Sequence, residues 1–450
     1  MPSSALLTAP VKPLILRIAF PSMLAMLASA LGALLDALLL GRCGAQAAAA
    51  VSLPLLTAIQ TLGFTLGMGA GSFVSRCLGT GDHRAARTAA STAFFCALAV
   101  SLLLCTAGFV FAAPLCAILG ASGSILSPAS AYARYVLSSG PLLCISLVLS
   151  SLLRAQGKTL PNMTAFVSGA IAGSTLQLTL IPRLGVHGAG IAMLVREGVT
   201  LALLGISMLR SHSALRPCVK SVSLRLSVFR DIMRSGAPTL LRQGLMSISA
   251  AMLTKASAAF GEGALAGMGL SARVLTLISA GVIGFGQGFQ PICGAAFGAG
   301  KPDRIHEAYR FCMRAVVFTL FAAGAAMFFS AGRLLAPFSS DVKALETAKN
   351  ALRVQSVTLF AQGAVIMMNM LTQAMGLTLR AGIVAASRQG FVFIPMLMLL
   401  TRLYGLTGLI LCQGVSDLLS LGLGLLVTRG VIRDCACARG GCSDARKASR

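Results

Sequence analysis

Long apolar segments with few charges recur along the whole chain, and they restrict its fold more than any other feature. The stretches 14–40 and 88–113 both exceed the roughly 20 residues that an α-helix needs to cross about 30 Å of hydrocarbon. Because lipid offers no hydrogen bonds, each segment must satisfy its own backbone groups, which favours helices. Of the 450 residues, 56% are hydrophobic and only 11% are charged. The sequence therefore predicts an all-α, polytopic membrane protein.

About twelve transmembrane helices are predicted. Their approximate ranges are 14–40, 46–75, 88–113, 130–153, 161–182 and 186–209, followed by 233–258, 265–296, 311–336, 350–376, 383–401 and 406–428. With the N-terminus inside, 25 of the 37 lysines and arginines fall on the cytoplasmic side and eight fall outside. This distribution explains the net charge of +25 without a nucleic-acid partner. It predicts a protein of the bacterial inner (cytoplasmic) membrane with both termini in the cytoplasm.

The sequence also repeats itself at a nearly constant offset, close to half the length of the chain. The matching pairs occur in four ordered blocks, and they include Pro21 and Pro238, Gly79 and Gly298, Gly81 and Gly300, Gly157 and Gly376, and Gly185 and Gly405. Glycine is common enough here to match by accident, but four ordered blocks at one offset exceed what accident provides. Two units with an even number of spans enter the membrane from the same side, so their pseudo-two-fold axis should follow the membrane normal.

We therefore predict two parallel six-helix repeats. The N-terminal six-helix lobe covers 1–209, a basic cytoplasmic linker covers 210–232, the C-terminal six-helix lobe covers 233–428, and a basic cytoplasmic tail covers 429–450. Parallel-repeat transporters tend to bind substrate between their halves near the midplane. A central polar site is the expectation for this chain.

The glycine and proline pattern of three segments resembles the multidrug and toxic compound extrusion (MATE) transporters, in the bacterial branch with multidrug export and damage-inducible members. The segments are LLDALLLGRCG at 34–44, GVIGFGQGFQPICGAAFGAGKPDRI at 281–305, and SRQGFVFIP at 387–395 followed by GLTGLILCQGVSD at 405–417. The resemblance implies two lobes of six helices, alternating access driven by H+ or Na+, and export of amphipathic, often cationic compounds. Lipid-linked oligosaccharide flippases belong to the same superfamily, so the resemblance indicates architecture better than cargo.

Asp36 is the first candidate for ion coupling. It lies in the outer third of the first predicted helix, in a stretch from 18 to 41 that has no other charge. An acid inside the membrane is a functional candidate by default. Its position matches the first-helix aspartate of the family, and a carboxylate that is desolvated can bind H+ or Na+ on one side and release it on the other. The alternative is a structural hydrogen bond to a neighbouring helix. We predict the coupling role.

The family commonly supports this aspartate with an Asn or Asp in the fifth helix, whereas GSTLQLTLIP at 173–182 contains no acid. The remaining polar candidates there are Ser174, Thr175 and Gln177, of which Ser174 and Gln177 are predicted to take part in ion coupling. The seventh helix also lacks an acid between Pro238 and Phe260. A highly charged Na+ cage is therefore doubtful, and H+ is the better candidate for the coupling ion.

Six further polar residues are candidates for lining the cavity: Glu197, Gln287, Asn369, Gln373, Arg388 and Asp417. Glu197 and Asp417 occupy equivalent positions of the repeat, and buried basic groups could equally satisfy them. Four basic residues also fall within predicted spans, namely Arg196, Arg242, Lys255 and Arg273. If these face the cavity unpaired, anionic cargo is favoured. If they are neutralised or face the cytoplasm, cationic or neutral drugs are favoured.

No catalytic constellation or phosphate-binding loop stands out, so an enzyme is not expected. Cys435, Cys437 and Cys442 match no standard zinc spacing, so no metal site is predicted, nor any cofactor beyond transported H+ or Na+. The expected partners are a small-molecule substrate and the lipid bilayer, with the chain acting as a monomer. The leading hypothesis is a cation-coupled antiporter that exports amphipathic, cationic drugs or toxic metabolites. The alternatives are a flippase or exporter of an anionic lipid-linked or other metabolite, and a scaffold or sensor without a polar cavity.

Overall fold

The computed structural model describes residues 5–42, 46–210, 215–223, 225–335 and 341–437. Within these ranges the chain is nearly all helical and contains no β-strand, so the predicted all-α class is confirmed. The long helices are α1 (Val11–Arg42), α2 (Gln46–Thr80), α3 (His83–Val110), α4 (Leu126–Ala155), α5 (Thr159–Leu184), α6 (Val186–Arg210), α7 (Leu226–Ala258), α8 (Glu262–Gly298), α9 (Pro302–Leu335) and α10 (Val342–Ala374). They are followed by α11 (Thr378–Ala386), a π-helical turn (Ser387–Phe391) and α12 (Phe393–Cys437).

Ten helices in the described ranges are long and apolar enough to cross a membrane. One of them, Thr378–Val431, is 54 residues long and includes α11, the π-helical turn and most of α12. It reverses direction at Gly405, so it contains two passes. The helix α7 is absent from the ten because charged residues such as Arg242 and Lys255 interrupt its apolar sequence. With α7 and the divided segment, the described residues contain the twelve long helical passes that were predicted.

The chain reverses direction at Gly185 and at Gly405, and the similar backbone angles at these two glycines show that the sequence repeat is also a structural repeat. Gly185 separates α5 from α6 with φ 54° and ψ −122°, and Gly405 has φ 57° and ψ −131°. Residues with a Cβ atom rarely adopt these angles, which explains glycine at both places. The predicted pairs Gly81 and Gly300, and Gly157 and Gly376, likewise share a positive φ.

The two halves meet where α1 packs against α8 and where α2 packs against both α7 and α8. Near the ends of α2 and α8 the contacts are reciprocal. Gly79 lies against the carbonyl oxygen of Ala295, and its repeat equivalent Gly298 lies against the carbonyl oxygen of Arg76. Because Arg76 and Ala295 are separated by the same offset as the two glycines, one contact is the two-fold image of the other. Each glycine allows the opposite backbone to approach closely. We refer to this contact as the seam.

Each half is built around one buried helix. In the most apolar 18-residue stretch of each span, 83% of the residues of α4 and 78% of those of α10 are buried. These shares are far higher than those of the other spans in the described ranges. The helix α4 packs against α2, α3 and α6, and α10 packs against the equivalent helices α8, α9 and α12. These central helices hold polar side chains in fixed positions toward the interface between the halves.

The lobe boundaries remain a prediction, and the structure describes the helix ends and a linker contact near them. The helix α6 ends at Arg210, and α7 begins at Leu226 inside the predicted linker. Part of the linker lies along α3, where the backbone N–H of Cys218 donates to Ser91 Oγ at 3.1 Å. The helix α12 continues into the predicted tail as far as Cys437, and the rest of the tail, with Cys442, lies outside the described residues.

Candidate functional site

A cavity of about 670 Å³ lies between the two halves. This volume is typical of sites for drug-sized molecules. Its wall on α2 extends from Ala49 to Phe64, and its wall on α8 extends from Met268 to Gln287. The cavity therefore lies away from the seam at the other ends of these helices. In the predicted orientation, it occupies the outer part of the membrane and the seam closes the cytoplasmic side.

Asp36 lies in the cavity wall contributed by α1. Its Oδ2 accepts a hydrogen bond of 3.4 Å from the hydroxyl of Tyr132 on α4. Its Oδ1 is buried and has no hydrogen-bond partner within the described residues. A buried acceptor without a partner is costly. Within the described residues, Oδ1 is therefore the carboxylate oxygen that the fold leaves unsatisfied.

Arg196 and Glu197 form an ion pair beside Asp36. Arg196 Nε donates to Glu197 Oε1 at 3.1 Å, and the guanidinium also interacts electrostatically with Asp36. Both residues line the cavity. The Arg196 side chain runs between α1 and α5, next to Gly32 and Gly173. The small glycines leave the space that this side chain occupies.

Ser174 and Gln177, the other two predicted coupling residues, lie outside the cavity wall. Gln177 is only 1% exposed, and its Oε1 has no hydrogen-bond partner within the part of the chain that the structure describes. Gly173 of α5 and Gly32 of α1 flank the same arginine, and Gln177 and Asp36 each follow about one helical turn later. Gln177 is therefore near the membrane level of Asp36, and its role in coupling stays a prediction.

A second ion pair lies in the C-terminal half. Arg388 Nε donates to Asp417 Oδ1 at 2.7 Å, and Gln413 Nε2 donates to the same oxygen at 3.3 Å. Arg388 lines the cavity, whereas Asp417 lies behind it and is 2% exposed. Arg388 belongs to the π-helical turn Ser387–Phe391, a local distortion that often occurs at functional sites.

Arg242 of α7 and Arg273 of α8 also line the cavity. Within the described ranges, neither side chain forms a hydrogen bond or an ion pair. Arg242 interacts electrostatically with Arg388, which has the same charge. Lys255 is exposed and is not part of the wall. Of the four basic residues within predicted spans, Arg196 is therefore paired in the cavity wall and Lys255 lies outside it. The other two face the cavity without a partner among the described residues.

The predicted amide side chains separate into two groups. Gln287 and Asn369 line the cavity, and Asn369 Nδ2 donates to the carbonyl oxygen of Ala381 at 2.8 Å. Gln373 is not in the wall. It is 3% exposed, accepts a hydrogen bond of 3.0 Å from Gln290 Nε2, and donates one of 2.6 Å to Thr239 Oγ1. Gln373 thus connects α10 to α8 and α7.

Tyr132 is a site residue that the sequence analysis did not identify. The chain has only four tyrosines, and this one is 5% exposed within a membrane-spanning helix. A buried tyrosine hydroxyl usually needs a hydrogen-bond partner. Its presence within a predicted span was therefore a signal that a polar group from another helix lies opposite.

Comparisons with known proteins agree with this architecture. The family model described as MatE matches residues 21–179 and 238–399, two segments that begin at the repeat-equivalent prolines Pro21 and Pro238. The multidrug export protein MepA of Staphylococcus aureus (strain NCTC 8325 / PS 47) is 25% identical over 369 residues, which cover 81% of this chain and 80% of MepA.

Solved structures of transporters have the same fold. An outward-facing multidrug resistance MATE family transporter of the MOP superfamily has a TM-score of 0.91 and 22% identity, covering 96% of this chain and 98% of that one. A MOP superfamily transporter from Pyrococcus furiosus has a TM-score of 0.90, also with 22% identity and the same coverage.

Proposed function

The chain belongs to the MatE family of transporters, and on this premise we propose that it is a proton-coupled antiporter that exports amphipathic, cationic drugs or toxic metabolites. Alternating access between the two halves would carry cargo out while protons move in. We further propose that it acts as a monomer in the bacterial inner membrane with both termini in the cytoplasm. That the Staphylococcus aureus relative is named a multidrug export protein supports drug export.

The observation that carries the proposal is the unpartnered Oδ1 of Asp36 in the wall of the central cavity. An acid that faces a cavity between two halves can be exposed to each side of the membrane in turn. Its proton occupancy can then differ between the two sides, and this difference is the chemical requirement for antiport. A cavity of this size with charged side chains in its wall also favours a transporter over a scaffold or sensor.

The surroundings of Asp36 favour H+ over Na+. A Na+ ion, like other hard cations, needs several oxygen ligands, whereas the groups beside Asp36 include the Arg196 guanidinium. A guanidinium repels a metal cation. A proton requires no cage and simply neutralises the carboxylate, after which Arg196 remains paired with Glu197. We propose that losing the attraction between Asp36 and Arg196 weakens the contact of α1 with α6 and connects proton binding to movement.

The seam supports alternating access. Two similar halves that meet through reciprocal contacts at one end can separate there and approach each other at the opposite end. In the predicted orientation, separation at the seam would open the cavity to the cytoplasm.

A second candidate function is export or flipping of an anionic lipid-linked or other metabolite. The observation that favours it is the presence of Arg242 and Arg273 in the cavity wall, unpaired within the described residues. An arginine in this position attracts carboxylate or phosphate groups.

Everted membrane vesicles test the proposed coupling. Ethidium, an amphipathic cation, is added outside, and the membrane potential is held at zero with potassium and valinomycin. A proton gradient, acid inside, should drive ethidium uptake above that of vesicles lacking the protein. A Na+ gradient without a pH difference should not. Uptake driven only by the Na+ gradient would overturn the proposed proton coupling.

A further inference from the structure

The two halves of the cavity carry opposite charge. In the N-terminal half the wall contains two carboxylates, Asp36 and Glu197, and one guanidinium, Arg196. The export of cations accounts for this negative side. The C-terminal half has a different balance, and the transport of cations leaves it unexplained.

In the C-terminal half the wall contains three guanidiniums, those of Arg242, Arg273 and Arg388. Asp417 neutralises Arg388 from behind the wall. Arg242 has no such partner in the described ranges, and the charged group that acts on it electrostatically is Arg388, which has the same sign. A charge within a membrane protein that lacks a partner is costly, and two neighbouring guanidiniums repel each other. An anion bound between them would relieve both effects.

The position of the two arginines is fixed by the packing of α7 against the π-helical turn. The hydroxyl of Ser249 donates to the backbone oxygen of Gln389, and Gly390 lies against the side chain of Leu245. These contacts hold the π-helical turn, which carries Arg388, beside α7, which carries Arg242. The guanidinium pair is therefore part of the rigid packing of this half.

Apolar side chains surround the charged groups. Met246 and Leu253 follow Arg242 along α7, and Phe393 follows Arg388 in the chain; all three line the cavity. A ligand that fits here must combine an apolar body with an anionic group. A bidentate contact with a guanidinium selects planar or tetrahedral oxyanions.

We infer that Arg242, supported by Arg388, forms a binding site for an anionic group of the cargo. The substrate class is amphipathic zwitterions whose carboxylate, sulfonate or phosphate group contacts Arg242, while their cationic group faces Asp36 and Glu197. The inference rests on the proposed transport function for its physiological meaning, because it assigns the substrate class of the same cavity.

A matched pair of dyes tests the inference by equilibrium binding. Tetramethylrhodamine is a zwitterion with a free carboxylate, and its methyl ester is a cation with the same ring system. Fluorescence anisotropy with purified protein in detergent should show that the wild type binds the zwitterion about tenfold more tightly than the ester, as expected for a hydrogen bond between charged groups. Octanesulfonate should displace the bound zwitterion.

The variant R242Q should lower the affinity for the zwitterion about tenfold but should not lower the affinity for the ester, because the cationic ester loses only a like charge from the cavity. Retained binding of the ester also shows that the variant is folded. R242K should retain part of the preference because it keeps the charge. K255Q is the control, since Lys255 is on the same helix outside the cavity wall. Equal binding of both dyes by the wild type, or an equal loss of both in R242Q, would overturn the inference. No ion gradient is used, so a failure here leaves the proposed proton coupling untouched, and the reverse is also true.

Discussion

The hydroxyl of Tyr132 on α4 donates a hydrogen bond of 3.4 Å to Oδ2 of Asp36 on α1. The central helix of the N-terminal half thus holds one oxygen of the carboxylate. The other oxygen, Oδ1, is buried without a partner in the described residues. One oxygen of the carboxyl group is therefore held by the fold, and the other is the oxygen to which we propose that the coupling proton binds.

Replacing Tyr132 with phenylalanine removes this hydrogen bond and leaves Asp36 less well oriented. Hydrogen bonds to charged groups contribute about 1.5–3 kcal/mol, and the length of this one places it at the lower end. We expect Tyr132→Phe to reduce the initial rate of proton-driven ethidium uptake by about tenfold.

Tyr135→Phe is the matched control. The Tyr135 hydroxyl lies 3.3 Å from His187 Nδ1 and not at Asp36, so its removal should leave uptake near the wild-type rate. Equal rates for Tyr132→Phe and Tyr135→Phe would show that the bond to Asp36 has no part in transport.

A side chain at position 173 should disturb Arg196. A Cβ atom on Gly173 would lie 2.9 Å from Arg196 Cβ and 3.2 Å from its Cγ, so the arginine must move away. Because small displacements of a functional group can be costly, we expect Gly173→Ala to lower uptake by at least about tenfold. Gly198→Ala is the control, since no atom lies within 4 Å of the added carbon. Normal uptake by both variants would contradict a role for the position of Arg196.

The Arg388–Asp417 pair predicts a stability difference between single and double variants. Asp417→Asn leaves the Arg388 guanidinium without its counter-charge, and breaking a buried pair from one side costs about 3–5 kcal/mol. The Arg388→Gln/Asp417→Asn double variant removes both charges and should recover much of this loss. Thermal unfolding in detergent measures the relative stability of the wild type, Asp417→Asn and the double variant. A double variant no more stable than Asp417→Asn would show that the pair is not the cause.

The reciprocal seam predicts that two variants from different halves have equal effects. A Cβ atom on Gly79 would collide with the carbonyl oxygen of Ala295, and one on Gly298 would collide with that of Arg76. Overpacking of this kind costs about 1–3 kcal/mol. We expect Gly79→Ala and Gly298→Ala to lower the unfolding temperature by similar amounts. Gly269→Ala, with no atom within 4 Å, should not lower it. Strongly unequal shifts would contradict the two-fold relation.

The sequence predicted the fold well because its repeat is carried by residues with strict backbone requirements. Gly185 and Gly405 were paired by offset alone, and they adopt nearly the same unusual angles. The number of passes was predicted from the length of the apolar segments. Two features complicate this count: the charges of α7 lower its hydropathy, and two passes that meet at Gly405 form one apparent helix. Both difficulties arise because composition along a helix does not reveal what the neighbouring helices supply.

The site was predicted less completely, because side-chain direction depends on packing between distant helices. Asp36 was identifiable as a lone acid in an apolar span, but its partner Tyr132 lies 96 residues away. Gln373 is a polar residue of the type expected in a cavity wall, yet its side chain forms hydrogen bonds with polar groups on α7 and α8 instead. The sequence also could not indicate whether Arg242 faces the cavity. That direction depends on how α7 packs against the π-helical turn, and nothing in the sequence marked the turn.

The most direct test of the account is the substitution Asp36→Asn, assayed in everted vesicles with the membrane potential clamped. Asparagine keeps the size of the side chain but cannot bind and release a proton. A proton gradient should no longer drive ethidium uptake above the level of vesicles that lack the protein, while the purified variant should still bind ethidium, more weakly, because Glu197 remains in the cavity wall. Full proton-driven uptake by Asp36→Asn would contradict the claim that this carboxyl group couples proton entry to export.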